Sequence, residues 1–285
     1  MSAKKRLALG IEYDGQAWCG WQTQPHRKTI QDQLEAALRT FVGPAVQENP
    51  IATICAGRTD TGVHATAQVV HFDTSVQRPL HAWVRAANAH LPDSIAVRWV
   101  REVTPDFNAR FSATMRRYEY WLYTDPVRTP RFSGRVAWHY QTLDVNAMQA
   151  AAQCLLGEQD FSAFRSAECQ ANSPIRTLHE LNIESYALPS SSGSGALLRF
   201  TLQANAFLHH MVRNLVGTLV YVGSGRQPAS WVAEVLASRN RGLAAPTFAP
   251  DGLYLTQVEY GAEHGVPTAA ISPFFAPLRE EPHLC

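Results

Sequence analysis

Asp60 is the residue with the best claim to chemistry. It lies in Ala56-Gly57-Arg58-Thr59-Asp60-Thr61-Gly62-Val63-His64-Ala65, between two glycines and two residues after a guanidinium. Glycine permits the positive φ angles and close backbone approach of a sharp, exposed loop. Ile51-Ala52-Thr53-Ile54-Cys55-Ala56 before it and Ala67-Gln68-Val69-Val70-His71-Phe72 after it are rich in β-branched and small apolar residues, so both read as strands. The loop then presents Asp60 at the end of a sheet, with Arg58 near enough to hold it ionised. A carboxylate mounted this way is a nucleophile, a base, or an Asp that closes a turn on its own backbone. The loop alone leaves all three open.

A second set of residues points to an anionic ligand. Arg110, Arg116, Arg117, Arg128, Arg131 and Arg135 lie close together, against only Glu119 and Asp125, and Lys4, Lys5 and Arg6 stand near the start. The formal net charge is only +1. Local basic clusters on a near-neutral chain suit one groove rather than a general surface field, or else a solvated charged face.

The segment Phe207–Val222 reads as a mostly buried helix with a narrow polar stripe of His210, Arg213, Asn214, Gly217 and Tyr221. That stripe makes Arg213 a cleft arginine, or else a surface arginine at the helix edge. Gly217, which costs about 1 kcal/mol against Ala in a helix interior, implies close approach by another backbone or a ligand.

Metal ligation is not expected. His64 and His71 are seven apart in a strand-like segment and face opposite ways. His209 and His210 are adjacent on the expected helix and diverge by about 100°. Neither an H-E-x-x-H nor a paired C-x-x-C accompanies them.

The elements that must carry these residues fall into two halves of similar grammar. The chain has 285 residues, 46% hydrophobic and 17% charged, enough for one large or two ordinary domains with a substantial core. A strand at about 5–13, a helix at about 30–42 capped by Thr29, the two strands around Asp60, and a helix at about 79–91 come first. Strands near 95–103 and 114–123 follow. After an irregular stretch at about 125–142 come a helix capped by Asp144, strands near 177–187 and 196–205, helices near 207–223 and 228–238, and a last strand at 253–259. The order is α+β, divided as 1–112 with the catalytic loop, 113–260, and a Pro-containing tail at 261–285 expected to be disordered. Pro189-Ser190-Ser191-Ser192-Gly193-Ser194-Gly195 reads as a flexible hairpin loop.

Five cysteines without a C-x-x-C pair argue for a reducing compartment, and no run of about 18 apolar residues marks a membrane span. A cytoplasmic protein is expected.

Several segments together resemble the transfer-RNA pseudouridine synthases of the TruA type. They are Tyr13-Asp14-Gly15 with Trp18-Cys19-Gly20-Trp21-Gln22, the Asp60 loop, Phe107-Asn108-Ala109-Arg110-Phe111-Ser112-Ala113, and Arg116-Arg117-Tyr118-Glu119-Tyr120. Phe161-Ser162-Ala163-Phe164-Arg165, Ala204 to Asn214, and Arg241 to Thr247 with Asp251 to Leu255 complete the series. Thr247-Phe248-Ala249-Pro250 is a small departure, touching local loop contacts. The resemblance implies two ferredoxin-like halves whose antiparallel sheets join around a central basic cleft. It implies a homodimer, without cofactor or metal, that converts uridine to pseudouridine in the tRNA anticodon stem-loop, at roughly positions 38 to 40. By the same resemblance Asp60 is the catalytic nucleophile and Tyr118 stacks on the target base. Arg58 and Arg213 are the cleft arginines, one assisting extrusion of the base and the other pairing with Asp60. Arg110, Arg116 and Arg117 are then candidate RNA-binding residues, suited to phosphate contacts.

Two other readings use the same residues. Asp60-Thr61-Gly62 is the D-T-G of aspartic proteases, but those need two carboxylates sharing a proton, and this chain has one such triplet beside an arginine. A non-catalytic RNA-binding module accounts for the basic clusters but gives neither Arg213 nor the Asp60 loop a purpose.

Overall fold

Alternating Leu7, Leu9, Ile11 and Tyr13 make β1 (Lys5–Tyr13) a fully embedded strand, antiparallel on both sides to β3 (His64–Thr74) and β4 (Ile95–Val103). The computed structural model describes residues 4–43, 51–190, 193 and 195–274. β2 (Ile54–Cys55), β5 (Ala113–Thr124), β6 (Ala137–His139), β7 (Gly157–Asp160), β8 (Ile175–Ala187), β9 (Ala196–Ala204) and β10 (Leu253–Tyr260) complete the strands. All belong to one sheet, ordered β4-β1-β3-β10-β5-β9-β8-β7, with β2 on β3 and β6 on β5.

The sheet is mixed rather than purely antiparallel. β10 runs antiparallel to β5 but parallel to β3, through Tyr254 beside His64 and Leu255 beside Ala65. This parallel joint lies immediately after the Asp60 loop, so the last strand of the chain seats the second half of the sequence against the loop. One buried cluster runs from Leu7 to Val266 and draws on both halves.

Among the described residues, five α-helices accompany the sheet: α1 (Ile30–Val42), α2 (Leu80–His90), α3 (Val145–Ala152), α4 (Met211–Gly223) and α5 (Trp231–Ser238). The Thr29 side chain caps α1 by accepting from the backbone N–H of Asp32, and its hydroxyl donates back to the Asp32 carboxylate at 2.5 Å, a reciprocal cap. α4 is buried along nearly its whole length. A Cβ on Gly217 would stand 2.6 Å from the Pro246 carbonyl oxygen, so only glycine lets that segment lie against the helix.

Several elements differ from the sequence reading. The strand expected at 51–56 reduces to Ile54–Cys55, while its partner extends to His64–Thr74. α4 starts at Met211, four residues later than expected, because the chain at His210 takes φ 63° and breaks the helical path. The tail does not begin in disorder at 261. Ile271 N–H donates to Thr256 O at 2.9 Å, the Thr66 hydroxyl bonds the Ile271 carbonyl, and Ser272 donates to Glu119 at 2.8 Å. Phe274 meets Trp121 edge-on at 5.1 Å. Residues 275–285, and Ser191, Ser192 and Ser194 of the expected hairpin loop, lie outside the described residues.

Candidate active site

The loop between β2 and β3 is braced from both sides before Asp60 touches anything. Gln68 on β3 grips Gly57, donating to its carbonyl at 2.6 Å and accepting from its N–H at 3.3 Å. The hydroxyls of Tyr13 and Thr59 bond at 2.7 Å, and the N–H of Trp21 donates to Thr59 O at 3.0 Å. Gly15 and Gly20 let the 15–21 segment press on the loop, since a Cβ would come to 2.0 Å from Val63 O and 2.7 Å from Thr59 O respectively. The blocks around Tyr13 and Trp18 thus serve as the mount of the loop. Asp60 sits on a fixed platform.

Across from it, the chain from Asn205 to Asn214 delivers three cationic or imidazole groups to the same carboxylate. Arg213 Nη1 donates to Asp60 Oδ2 at 3.0 Å, while its Nε donates to Phe248 O at 2.8 Å. His209 Nε2 lies 3.3 Å from Oδ1, and His210 Nε2 3.3 Å from Oδ2. Asp60, at 19% side-chain exposure, is partly desolvated. Burial by itself raises its pKa. The hydrogen bond from His209, the charge of His210 and the Arg213 contact outweigh burial and hold the carboxyl below the usual range. His209 moves the other way, raised chiefly by its bond to Asp60, whereas burial lowers His210. The site holds an ionised carboxylate with its charge compensated.

The two histidines are the residues that sequence reasoning missed. In a helix adjacent side chains diverge, but His209 and His210 precede α4. The left-handed backbone of His210, which costs a non-glycine residue about 1 kcal/mol, brings the two rings to 4.0 Å. Asp60, His209 and His210 therefore form a group whose ligand atoms lie within 4.8 Å of one another, which corrects the expectation that these imidazoles point apart. The break at His210 was readable only as a weak signal, the absence of a capping residue before Met211.

The start of α4 is itself held. Asn214 donates to Phe164 O at 2.7 Å and accepts from Arg241 at 3.0 Å and Thr247 at 2.8 Å. His209 O accepts from Ser166 N–H at 3.0 Å. The sequence departure at Phe248 leaves the contact with Arg213 intact, because that contact uses the backbone carbonyl.

The remaining expected site residues separate. Arg58 is exposed, and its place as the group that holds Asp60 ionised is taken by Arg213 and the histidines. Tyr118 is buried on β5, edge-on to Phe207 at 5.0 Å, with its hydroxyl near Gly57; burial raises its pKa and keeps the phenol neutral. Arg116 faces inward. Its guanidinium donates to the carbonyls of Ala113, Asn205, Ala56 and Arg110, so it ties β5 to the Asp60 loop instead of reaching for phosphate. Arg117 pairs with Glu180 at 3.2 Å. Arg110 is exposed, lying over the ring of Phe111 at 5.4 Å.

One ionised carboxylate ringed by cationic and imidazole groups has the chemistry of a nucleophile or a charge stabiliser. It is the opposite of the proton-sharing carboxylate pair that a protease of the D-T-G type requires. Residues 10–112 and 151–261 match the family model described as tRNA pseudouridine synthase. A tRNA pseudouridine synthase A from Bordetella parapertussis is 55% identical over 278 residues, covering 96% of this chain and 99% of that relative. The protein of that description from Bordetella petrii is 57% identical over 259 residues, 91% and 92% of the two chains. The one from Paraburkholderia phytofirmans is 54% identical over 263 residues, 92% and 93%. The chain belongs to the tRNA pseudouridine synthase family. Among the described residues, no helix is long and apolar enough to cross a membrane.

Proposed function

We propose that this enzyme isomerises uridine to pseudouridine in the anticodon stem-loop of tRNA, at roughly positions 38 to 40, with Asp60 as nucleophile. The observation that carries the reading is the Asp60 carboxylate, on a braced loop, paired with Arg213 at 3.0 Å and kept ionised. The reaction breaks the N1–C1′ glycosidic bond, turns the uracil in place and joins C5 to C1′; C5 gives up its proton and N1 takes one up, so the composition is unchanged. A held carboxylate serves it by adding to the sugar or the base and leaving again, in a pocket that prevents escape of the detached ring.

Each further residue has a part. Arg213, fixed at both Asp60 and Phe248 O, orients the nucleophile. Tyr118, neutral and with its hydroxyl near Gly57 of the Asp60 loop, stacks on the target base. Exposed Arg58, two residues from Asp60, assists extrusion of the base from the stem-loop, a step that costs a few kcal/mol. Arg110 and the exposed Arg128 and Arg131 contact phosphates. In the same reading the two parts of the sheet are ferredoxin-like halves around a basic cleft. The enzyme acts in the cytoplasm as a homodimer, without a cofactor.

The test uses tRNA transcripts carrying tritium at C5 of a single uridine. Label is expected to leave anticodon-arm transcripts marked at 38, 39 or 40 and to stay in those marked elsewhere. Release confined to another arm would overturn the assignment.

A further inference from the structure

We propose that Asp60, His209 and His210 form a binding site for a divalent transition-metal ion, Zn2+ foremost, and that occupancy shuts the enzyme down by taking the carboxylate. The binding half stands on geometry alone. The inhibitory half rests on the role proposed for Asp60.

A tetrahedral ion with bonds of about 2.1 Å sets its ligand atoms about 3.4 Å apart. His209 Nε2 stands 3.3 Å from Asp60 Oδ1 and His210 Nε2 3.3 Å from Oδ2, and one ligand atom from each residue falls within 4.8 Å of the others, so closing on an ion takes a contraction of no more than about 1.4 Å. Both imidazoles already aim the same nitrogen at the carboxylate. The left-handed turn at His210 and the bond from Ser166 N–H to His209 O fix that aim, so little ordering is left for the metal to impose. The three side chains keep 35%, 26% and 19% exposure, which gives an ion a way in and leaves room for water as a fourth ligand.

The donor set selects the ion. Two imidazoles and one carboxylate suit Zn2+, Co2+, Ni2+ and Cu2+, whereas Mg2+ and Ca2+ prefer oxygen ligands. Magnesium, which accompanies tRNA, is therefore excluded from this site by its own chemistry. Arg213 sets the strength. Its guanidinium on Oδ2 orients the carboxylate as a second-sphere partner, and its positive charge opposes the incoming ion. The balance makes a reversible site rather than a permanent metal centre.

The deciding experiment titrates the full-length metal-free enzyme with Co2+ and follows its visible d–d absorption, with no RNA present. The expected result is one equivalent of low-coordinate Co2+, displaced by Zn2+ and not by excess Mg2+. His209→Gln with His210→Gln should weaken it by at least about tenfold, and Asp60→Asn, which leaves both imidazoles and the loop in place, should also weaken it. Bands that are absent, or unchanged in both variants, would overturn the site. In a second arm, Zn2+ should inhibit tritium release reversibly, with chelator restoring the rate. Histidine-dependent bands with undiminished turnover in saturating Zn2+ would overturn the inhibitory half and count against Asp60 as the reacting group, while leaving the metal site standing.

Discussion

The two sides of the site are built by opposite means. The Asp60 loop is held by neutral hydrogen bonds from Gln68, Tyr13 and Trp21, and by glycines that let a second segment press against it. The 205–214 segment facing it carries the cationic groups, and a buried polar network around Asn214 anchors it to distant parts of the chain. Rigidity on one side and charge on the other divide the task. The carboxylate is placed by its loop, and its ionisation is set by its partners. Such a division keeps a partly desolvated anion charged through fixed groups of the protein.

The sharpest way to break this comparison is to remove the strut between the sides. Arg116 joins Ala56 O at the foot of the loop to Asn205 O at the foot of the opposing segment. Arg116→Met would leave four carbonyls without their donor, and we expect a stability loss of about 3–5 kcal/mol by denaturant titration. Arg110→Ala, on the exposed surface, should leave stability within about 0.5 kcal/mol and lower the salt slope of tRNA binding by up to about one unit. Equal stability of the two variants would mean that Arg116 is not a strut.

Arg213→Lys tests the charged side. Lysine keeps the charge but has no planar fork to reach Asp60 and Phe248 O together. Turnover should fall roughly tenfold to a hundredfold with tRNA affinity and fold retained. Unchanged turnover would show that charge suffices.

Truncation after Gly265 examines a region remote from both sides. The strap from Val266 to Phe274 covers Thr66, Trp121 and Tyr254, and its loss should lower stability by about 1–3 kcal/mol while turnover at low temperature persists. A truncation with full stability would reduce the strap to an incidental contact.

The smallest effect concerns the cap of α1. Burial raises the Asp32 pKa, but hydrogen bonds from Thr29, Arg27 and Thr23 outweigh it, and the net shift is downward. A folded-state pKa below the unfolded one contributes stability that is complete above about pH 4 and is lost as pH falls through the folded value. Asp32→Asn should therefore cost stability of about 1 kcal/mol at neutral pH and flatten its acid dependence below about pH 4. A parallel acid dependence in the two proteins would remove this role.

Local pattern carried most of the fold. Alternation revealed β1, the run at 253–259 read as the strand that became β10, and Thr29 and Asp144 marked helix starts that the structure keeps. The short β7 and the strap at 266–274 lack periodicity of their own and are held by partners outside themselves, β8 for the one and Thr66, Glu119 and Trp121 for the other. At the site, Asp60 and Arg213 were legible from a loop and a polar stripe. The histidines were not, since a four-residue shift in the start of α4 reverses where they point. Arg116 was misread because composition gives no sign of whether a strand arginine faces water or carbonyls. In this chain a neighbouring loop closes over it.

The central claim is that the braced, compensated carboxylate of Asp60 performs the isomerisation. Asp60→Asn retains the size and turn-forming capacity of the side chain, so the loop should persist, and circular dichroism and tRNA binding should match the parent. The amide cannot act as a nucleophilic carboxylate, so release of tritium from C5 of the target uridine should fall to background. Release at a rate near the parent's would contradict the account.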